Sequence, residues 1–176
     1  MPMRTTLAAV TATLLLGGTA QAQNWQGFYG GLALGYGEAS GSAIVGNATG
    51  GLAGLHLGYN WQTAGAVFGV EIDGLAGNVD VGGVGVREVL RLKARFGVPV
   101  GANGLAYAMI GAAQARNTFI PSTDTGLAYG IGYEHMMGGG WSIGAELSGQ
   151  NFTNVGGIGG ADYTLTMLTI RASIRF

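Results

Sequence analysis

Apolar residues recur at every second position along most of this chain. Side chains of a β-strand alternate between its two faces, so a period of two predicts strands with one apolar face. A helix would need a period near 3.6. Eight segments carry the pattern. Val89–Pro99 is the clearest, with Leu90, Leu92, Ala94, Phe96 and Val98 opposite Arg91, Lys93 and Arg95. In the closing segment, Leu168, Ile170, Ala172, Ile174 and Phe176 alternate with Thr169, Arg171, Ser173 and Arg175.

The other six read the same way. Phe28, Leu32, Leu34 and Tyr36 oppose Tyr29, Gly31, Ala33 and Gly35, and Leu55, Leu57, Tyr59 and Trp61 oppose Gly54, His56, Gly58 and Asn60. Phe68, Val70 and Ile72 oppose Gly69, Glu71 and Asp73. Leu105, Tyr107, Met109 and Ala113 form the outward row of the fifth segment, opposite Ala106, Ala108, Ile110 and Gln114. Leu127, Tyr129, Ile131 and Tyr133 oppose Gly130, Gly132 and Glu134, and Trp141, Ile143, Ala145 and Leu147 oppose Ser142, Gly144, Glu146 and Gln150.

Each segment runs about 10 residues, the length with which a tilted strand crosses a bilayer. Connections alternate in length: Gln62–Ala66, Val100–Gly104 and Met137–Gly140 are short, whereas Glu38–Gly50 and Gly77–Glu88 are long, and Arg116–Thr125 and Phe152–Asp162 are of moderate length. Apolar outer faces, polar inner faces and alternating loops predict an all-β fold, an eight-stranded antiparallel up-and-down transmembrane β-barrel. Short turns and both chain termini are then expected in the periplasm.

Composition agrees. Charged residues make up 10% of the 176-residue chain, hydrophobic residues 48%, with 36 Gly, 3 Pro and no Cys. So much apolar residue argues against disorder, and a net charge of -1 suggests no nucleic-acid partner. Residues 1–22 read as a cleaved signal peptide: Arg4, an apolar run Leu7–Gly18, then Ala20-Gln21-Ala22. That run is too short for a spanning helix. Residues 23–176 form the expected barrel domain.

Two groups of residues stand out. Phe28, Tyr59, Trp61, Phe68, Phe96, Tyr107, Tyr133, Trp141 and Phe176 fall on outward faces near the short-turn end and predict an aromatic girdle at the periplasmic lipid boundary. Tyr36 and Tyr163 are expected at the opposite boundary. Inside, Glu71, Asp73, Glu134 and Glu146 oppose Arg91, Lys93, Arg95, Arg171 and Arg175 as a lumen charge network, with Glu71 and Asp73 beside the bases of the next strand and Glu146 within reach of Arg171. Eight strands leave an interior just wide enough for side chains to fill. The inward glycines are expected to make room for the long basic side chains. A filled lumen and a narrow path for small solutes or ions both remain open at this point; conductance separates them.

Enzymatic chemistry has no support in the pattern. His56 points inward and His135 outward, Glu134 points away from His135, and Ser122 with Asp124 has no neighbouring His, so no nucleophile–base–acid set converges. The spacing of His and carboxylates suits no metal, and the Gly-rich loops lack the Lys-Ser/Thr of a phosphate-binding loop. No catalytic residue, metal or cofactor is expected.

Several motifs are shared with a known family. Trp25-Gln26-Gly27-Phe28-Tyr29, Gly58-Tyr59-Asn60-Trp61-Gln62, Phe68-Gly69-Val70-Glu71, Gly140-Trp141-Ser142 and Ile170-Arg171-Ala172-Ser173-Ile174-Arg175-Phe176 carry the likeness. The chain resembles the small outer membrane immunogenic, porin-family β-barrels of Gram-negative bacteria, within the OmpA-like eight-stranded group. The resemblance implies a surface-exposed structural protein of the cell outer membrane, in some members a surface antigen or adhesin whose extracellular loops meet a host or surface ligand. It also implies outer-membrane lipid, periplasmic chaperones and the barrel-assembly machinery as partners. That machinery would read Leu168, Ile170, Ala172, Ile174 and Phe176 as an assembly signal.

Overall fold

A computed structural model describes residues 24–42, 46–81, 84–117 and 123–176. The expected leader, residues 1–22, lies outside the described residues, as do Ser122 and Gly82-Gly83. Eight strands follow in chain order: β1 Gly27–Gly41, β2 Ala48–Gln62, β3 Val67–Val81, β4 Val84–Val100, β5 Gly104–Asn117, β6 Thr123–Gly138, β7 Trp141–Phe152 and β8 Tyr163–Arg175. Each pairs antiparallel with the next. β8 pairs with β1 from Tyr29 opposite Arg175 to Gly41 opposite Tyr163, and the sheet closes. Closure gives every backbone ladder a partner and leaves no free edge.

One end of the barrel carries the connections 63–66, 101–103 and 139–140 and both ends of the sheet; we call it the turn end. At its tightest connection Gly138, Gly139 and Gly140 all have positive φ (100°, 60° and 81°), which a side chain would strain. The opposite, loop end differs from expectation. β1 and β2 extend through most of Glu38–Gly50, and β3 and β4 through nearly all of Gly77–Glu88, so the strands are 12 to 17 residues long and these two connections are shorter than the sequence suggested, whereas the connection 153–162 keeps the expected moderate length. Residues Val155–Gly157 form a single 3-10 turn before β8.

The extra length has a cause in the side chains. Over the turn-end two thirds, apolar residues face outward and polar ones inward. Beyond Tyr36, Gly51, Ala76, Leu90, Ala112, Leu127, Gly149 and Leu168 the rule reverses. Outward positions become Glu38, Thr49, Asp80, Glu88, Gln114, Arg116, Thr125, Asn151 and Thr166, all exposed. Inward positions become mainly apolar, with Leu52, Leu75, Val79, Val86, Val89, Phe152, Leu165 and Met167 buried in one cluster and Asp124 and Gln150 as buried polar exceptions. This collar is built like a soluble barrel around a hydrophobic core. Bulges between Ala76 and Val79 and between Val86 and Glu88 keep Val79 and Val86 turned inward as the β3–β4 hairpin bends.

The fifth strand corrects the sequence reading. Phe96 pairs with Ala108 and Ala94 with Ile110, and directly opposed residues of an antiparallel pair share a face. Ala106, Ala108, Ile110 and Ala112 therefore point outward, and Leu105, Tyr107 and Met109 are buried inside. Tyr107, at 5% exposure, is no part of an outward girdle. Tyr163 is also interior, stacked on Phe152 at 4.7 Å.

Candidate functional site

The interior is the site that the sequence singles out, and its layers follow from the register. At mid-height β3 and β4 set Glu71 opposite Lys93 and Asp73 opposite Arg91. The pairing starts an ion network that crosses the barrel. Lys93 Nζ lies 2.7 Å from Glu71 Oε1, 2.6 Å from Asp73 Oδ2 and 3.1 Å from Glu146 Oε1, so each ammonium proton has a carboxylate. Arg91 grips Asp73 through two nitrogens (2.7 and 3.0 Å) and reaches Glu146 at 3.2 Å and Ser148 Oγ at 2.9 Å.

Arg171 comes from β8 on the far side and donates to Glu71 (2.9 and 2.5 Å) and to Glu146 (3.0 Å). Arg95 donates to Glu71 (3.1 Å), Glu134 (2.5 Å) and the hydroxyl of Tyr29 (2.6 Å), which itself donates to Glu71 (2.7 Å). Glu71 thus meets three cations and a phenol while fully buried. Buried charges persist when paired and hydrogen-bonded in this way. The four carboxylates Glu71, Asp73, Glu134 and Glu146 face four cations, Arg91, Lys93, Arg95 and Arg171, one for one.

Tyrosines complete the layer, and the sequence reading missed one of them. The Tyr107 ring lies against the Arg95 guanidinium, 3.8 Å from its centroid, and its hydroxyl donates to Glu146 at 3.0 Å. Tyr29 covers Arg95 less closely, at 5.3 Å. Both rings rest on glycines directly across the ladder: Tyr29 on Gly58 and Tyr107 on Gly132. The room left by these two glycines is therefore filled by aromatic rings, not by the Arg and Lys stems the sequence suggested. The signal available was the register itself, since the inward row Arg91, Lys93, Arg95 obliges Tyr107, opposite Gly97, to face inward.

Both mouths are covered. At the turn end Trp25, fully buried, packs with Val67, Leu105 and Met136, and its backbone N–H donates to Gln62 Oε1. The sequence reading had used Trp25 only as part of a motif. At the loop end Val155 seats on the apolar cluster, and Gly156 N–H donates to Asp124 Oδ1 at 2.9 Å. Ser42 Oγ donates to the Gly160 carbonyl at 2.8 Å and ties the same loop to β1. His56 is buried against Ser173 Oγ at 2.8 Å, and His135 stands on the outer face beside Tyr133. Among the described residues no group of His, Cys, Asp and Glu could hold a metal ion.

The outer face carries the remaining aromatics together. Phe28 meets Tyr59 at 4.7 Å and Phe176 at 6.3 Å, Tyr59 meets Trp61 at 4.8 Å, and Phe68 meets Phe96 at 5.1 Å. Tyr133 and Trp141 are exposed on the same side of the sheet. With Tyr107 turned inward, β5 contributes small residues, Ala106 and Ala108, to this belt.

A family model, the outer membrane protein beta-barrel domain, matches residues 7–176. The chain belongs to that family. The family is one of outer-membrane barrels, and this chain folds accordingly as a closed eight-stranded sheet with an apolar outer band. Among solved structures it is similar to Neisserial surface protein A, at 16% identity and a TM-score of 0.61, covering 85% of this chain and 97% of that one. It is similar also to Ail, the attachment invasion locus protein of Yersinia pestis, at 14% identity and a TM-score of 0.57, covering 85% and 99%. At these identities the likeness is one of fold. No curated protein matches the sequence.

Proposed function

We propose that this outer-membrane barrel is a non-conducting, non-enzymatic structural and surface-display protein. One observation carries the reading: the interior is occupied along its length, by Trp25 at the turn end, by the balanced ion network at mid-height and by the apolar core under Val155 at the loop end. An ion crossing it would have to break several desolvated ion pairs, each costing several kcal/mol. The alternative, a narrow porin-like channel, would have to cross a collar interior that is mostly apolar, where Asp124 and Gln150 are buried polar residues among Leu, Val, Phe and Met side chains.

The aromatic belt formed by Phe28, Tyr59, Trp61, Phe68, Phe96, Tyr133, Trp141 and Phe176 supports a lipid–water boundary at the turn end, with that end periplasmic. The polar collar is then the surface the protein shows outside the cell. It offers short loops and a ring of Thr, Asn and acidic side chains, and a host or surface ligand would meet that ring. The outward row of β8, closing on Phe176, is the segment we assign to recognition by the assembly machinery. Proteoliposomes loaded with a small sugar test the filled interior. No uptake above protein-free vesicles is expected; swelling at a porin-like rate would overturn the proposal.

A further inference from the structure

Outside the expected leader and the barrel interior, the chain has two cations, Arg87 and Arg116, and both stand on the collar. Arg116 points outward from β5 and meets Glu88 of β4 at 3.0 Å, with both side chains exposed. Arg87 is the extra residue of the bulge between Val86 and Glu88 and is exposed beside that pair. The other exposed acids lie on a different sector. Glu38 on β1 and Asp80 on β3 flank Thr49 in one register row, and Asp162 directly precedes β8. No outward cation stands on β8, β1, β2 or β3. Glu38 accepts one bond through Oε1, from Asn47 Nδ2 at 2.8 Å.

In the closed ring of eight strands β1 and β5 are half a turn apart, and the register gives their relative height. Paired residues lie on a line perpendicular to the strands. From Phe28 that line passes Tyr59, Val70, Ala94 and Ile110, continues through Tyr129, Gly149 and Thr166, and meets β1 again at Glu38. The strands are tilted, so one circuit climbs from Phe28 to Glu38. Ile110, half-way round, therefore stands midway in height between them. Glu38 is then level with the part of β5 between Gln114 and Arg116, and Phe28 to Leu32 are level with Ala106 and Ala108. At that lower height an open apolar groove of about 570 Å³ runs over Ala106 and Ala108 between Phe96 and Tyr133. On β1, Phe28 and Leu32 project there, 53% and 63% exposed, with Gly30 between them.

We propose that the barrel binds a second copy of itself side by side in the membrane, β1 of one copy against β5 of the next. Glu38 meets Arg116 at the collar, and Phe28 and Leu32 enter the groove between Phe96 and Tyr133. The bilayer holds both copies upright at one depth, so only patches of equal height meet. Contact of β1 with β1 would set Glu38 on Glu38, and contact of β5 with β5 would set Arg116 on Arg116; like charges oppose both. Arg116 keeps Glu88 while taking Glu38, because a guanidinium has several donors. With its two patches half a turn apart, the contact is heterologous and does not close, and copies add into a row.

The chain has no Cys, so introduced disulfides report the contact. Tyr36→Cys on β1 and Gln114→Cys on β5 stand at nearly one height and leave Glu38 and Arg116 in place. The full barrel is refolded into phosphatidylcholine vesicles and oxidised. The double variant should give a ladder of dimers, trimers and longer rows, and each single variant monomer alone. Adding Glu38→Arg, or Arg116→Glu, should cut the linked fraction about fivefold or more, and the two together should restore it. Salt at roughly 1 M, which screens exposed charges beyond about 3 Å, should also lower it and decides the point should a charge variant fail to fold. Monomer alone from the double variant, as expected if acyl chains fill the groove, would overturn the proposal. So would dimers from a single variant in equal yield, or a ladder indifferent to both Glu38→Arg and salt.

Discussion

The Tyr107 ring lies so close over Gly132 that a Cβ placed there would be 2.3 Å from the ring carbon Cζ. Tyr107 cannot back away without losing the Arg95 face at 3.8 Å and the Glu146 hydrogen bond at 3.0 Å. Gly132→Ala should therefore destabilise the barrel by about 1–3 kcal/mol, the usual range for overpacking. Gly74→Ala is the control, because its nearest contact would be Leu90 Cδ1 at 3.8 Å. There the alanine should be neutral or stabilise by up to about 1 kcal/mol. Urea unfolding midpoints in lipid vesicles compare the two directly.

Glu71 organises the charged layer. Removing it strands Arg171, Lys93 and part of Arg95 without their shared carboxylate. Glu71→Ala should cost about 3–5 kcal/mol, as expected for breaking a buried pair on one side. The exposed pair of Glu88 and Arg116 at 3.0 Å is the contrast; Glu88→Ala should change stability by less than about 1 kcal/mol. Equal effects at the two sites would remove the distinction between network and surface.

The three tryptophans occupy different surroundings. Trp61 and Trp141 are half exposed on the outer face, and Trp25 is sealed inside the turn end. In vesicles with brominated acyl chains, fluorescence of a variant retaining only Trp61 or only Trp141 should be strongly quenched. A variant retaining only Trp25 should be nearly unaffected. Quenching of Trp25 to the same degree would mean that the plug is not seated.

Phe176 stacks on Phe28 across the closing seam, and its backbone N–H donates to the Phe28 carbonyl at 3.0 Å. Phe176→Ala leaves that backbone bond in place. It should lower the yield of inserted barrel in cells more than it lowers the unfolding midpoint of barrel refolded in vitro. A variant that inserts normally in cells would count against a role in assembly.

Strand number, antiparallel order and the facing of seven strands were legible in the sequence, because one bilayer-facing row per strand is apolar and unbroken. The fifth strand was not. Its two faces are Leu105, Tyr107, Met109 and Ala106, Ala108, Ile110, both apolar, and Gln114 appeared to mark an interior face. Gln114 stands in the collar, where polar residues point outward, so a rule valid at bilayer depth gave the wrong parity one level higher. The same reversal hid the strand ends, since Glu38, Thr49 and Asp80 read as loop residues although they continue the ladder. Candidate charges were legible from parity, and so were the hairpin partners, Glu71 and Asp73 beside Lys93 and Arg91 and Glu146 beside Arg171; the contacts across the barrel were not, since Arg171 meets Glu71 only once β8 closes on β1 and the far wall comes within reach.

Single-channel recording in a planar bilayer tests the filled interior most directly. Purified, refolded barrel should give no steady conductance above the bare membrane across the voltage range the bilayer tolerates, and Glu71→Ala or removal of the Trp25 ring should at most add brief, irregular openings. A reproducible unitary conductance from the unaltered protein would contradict the account.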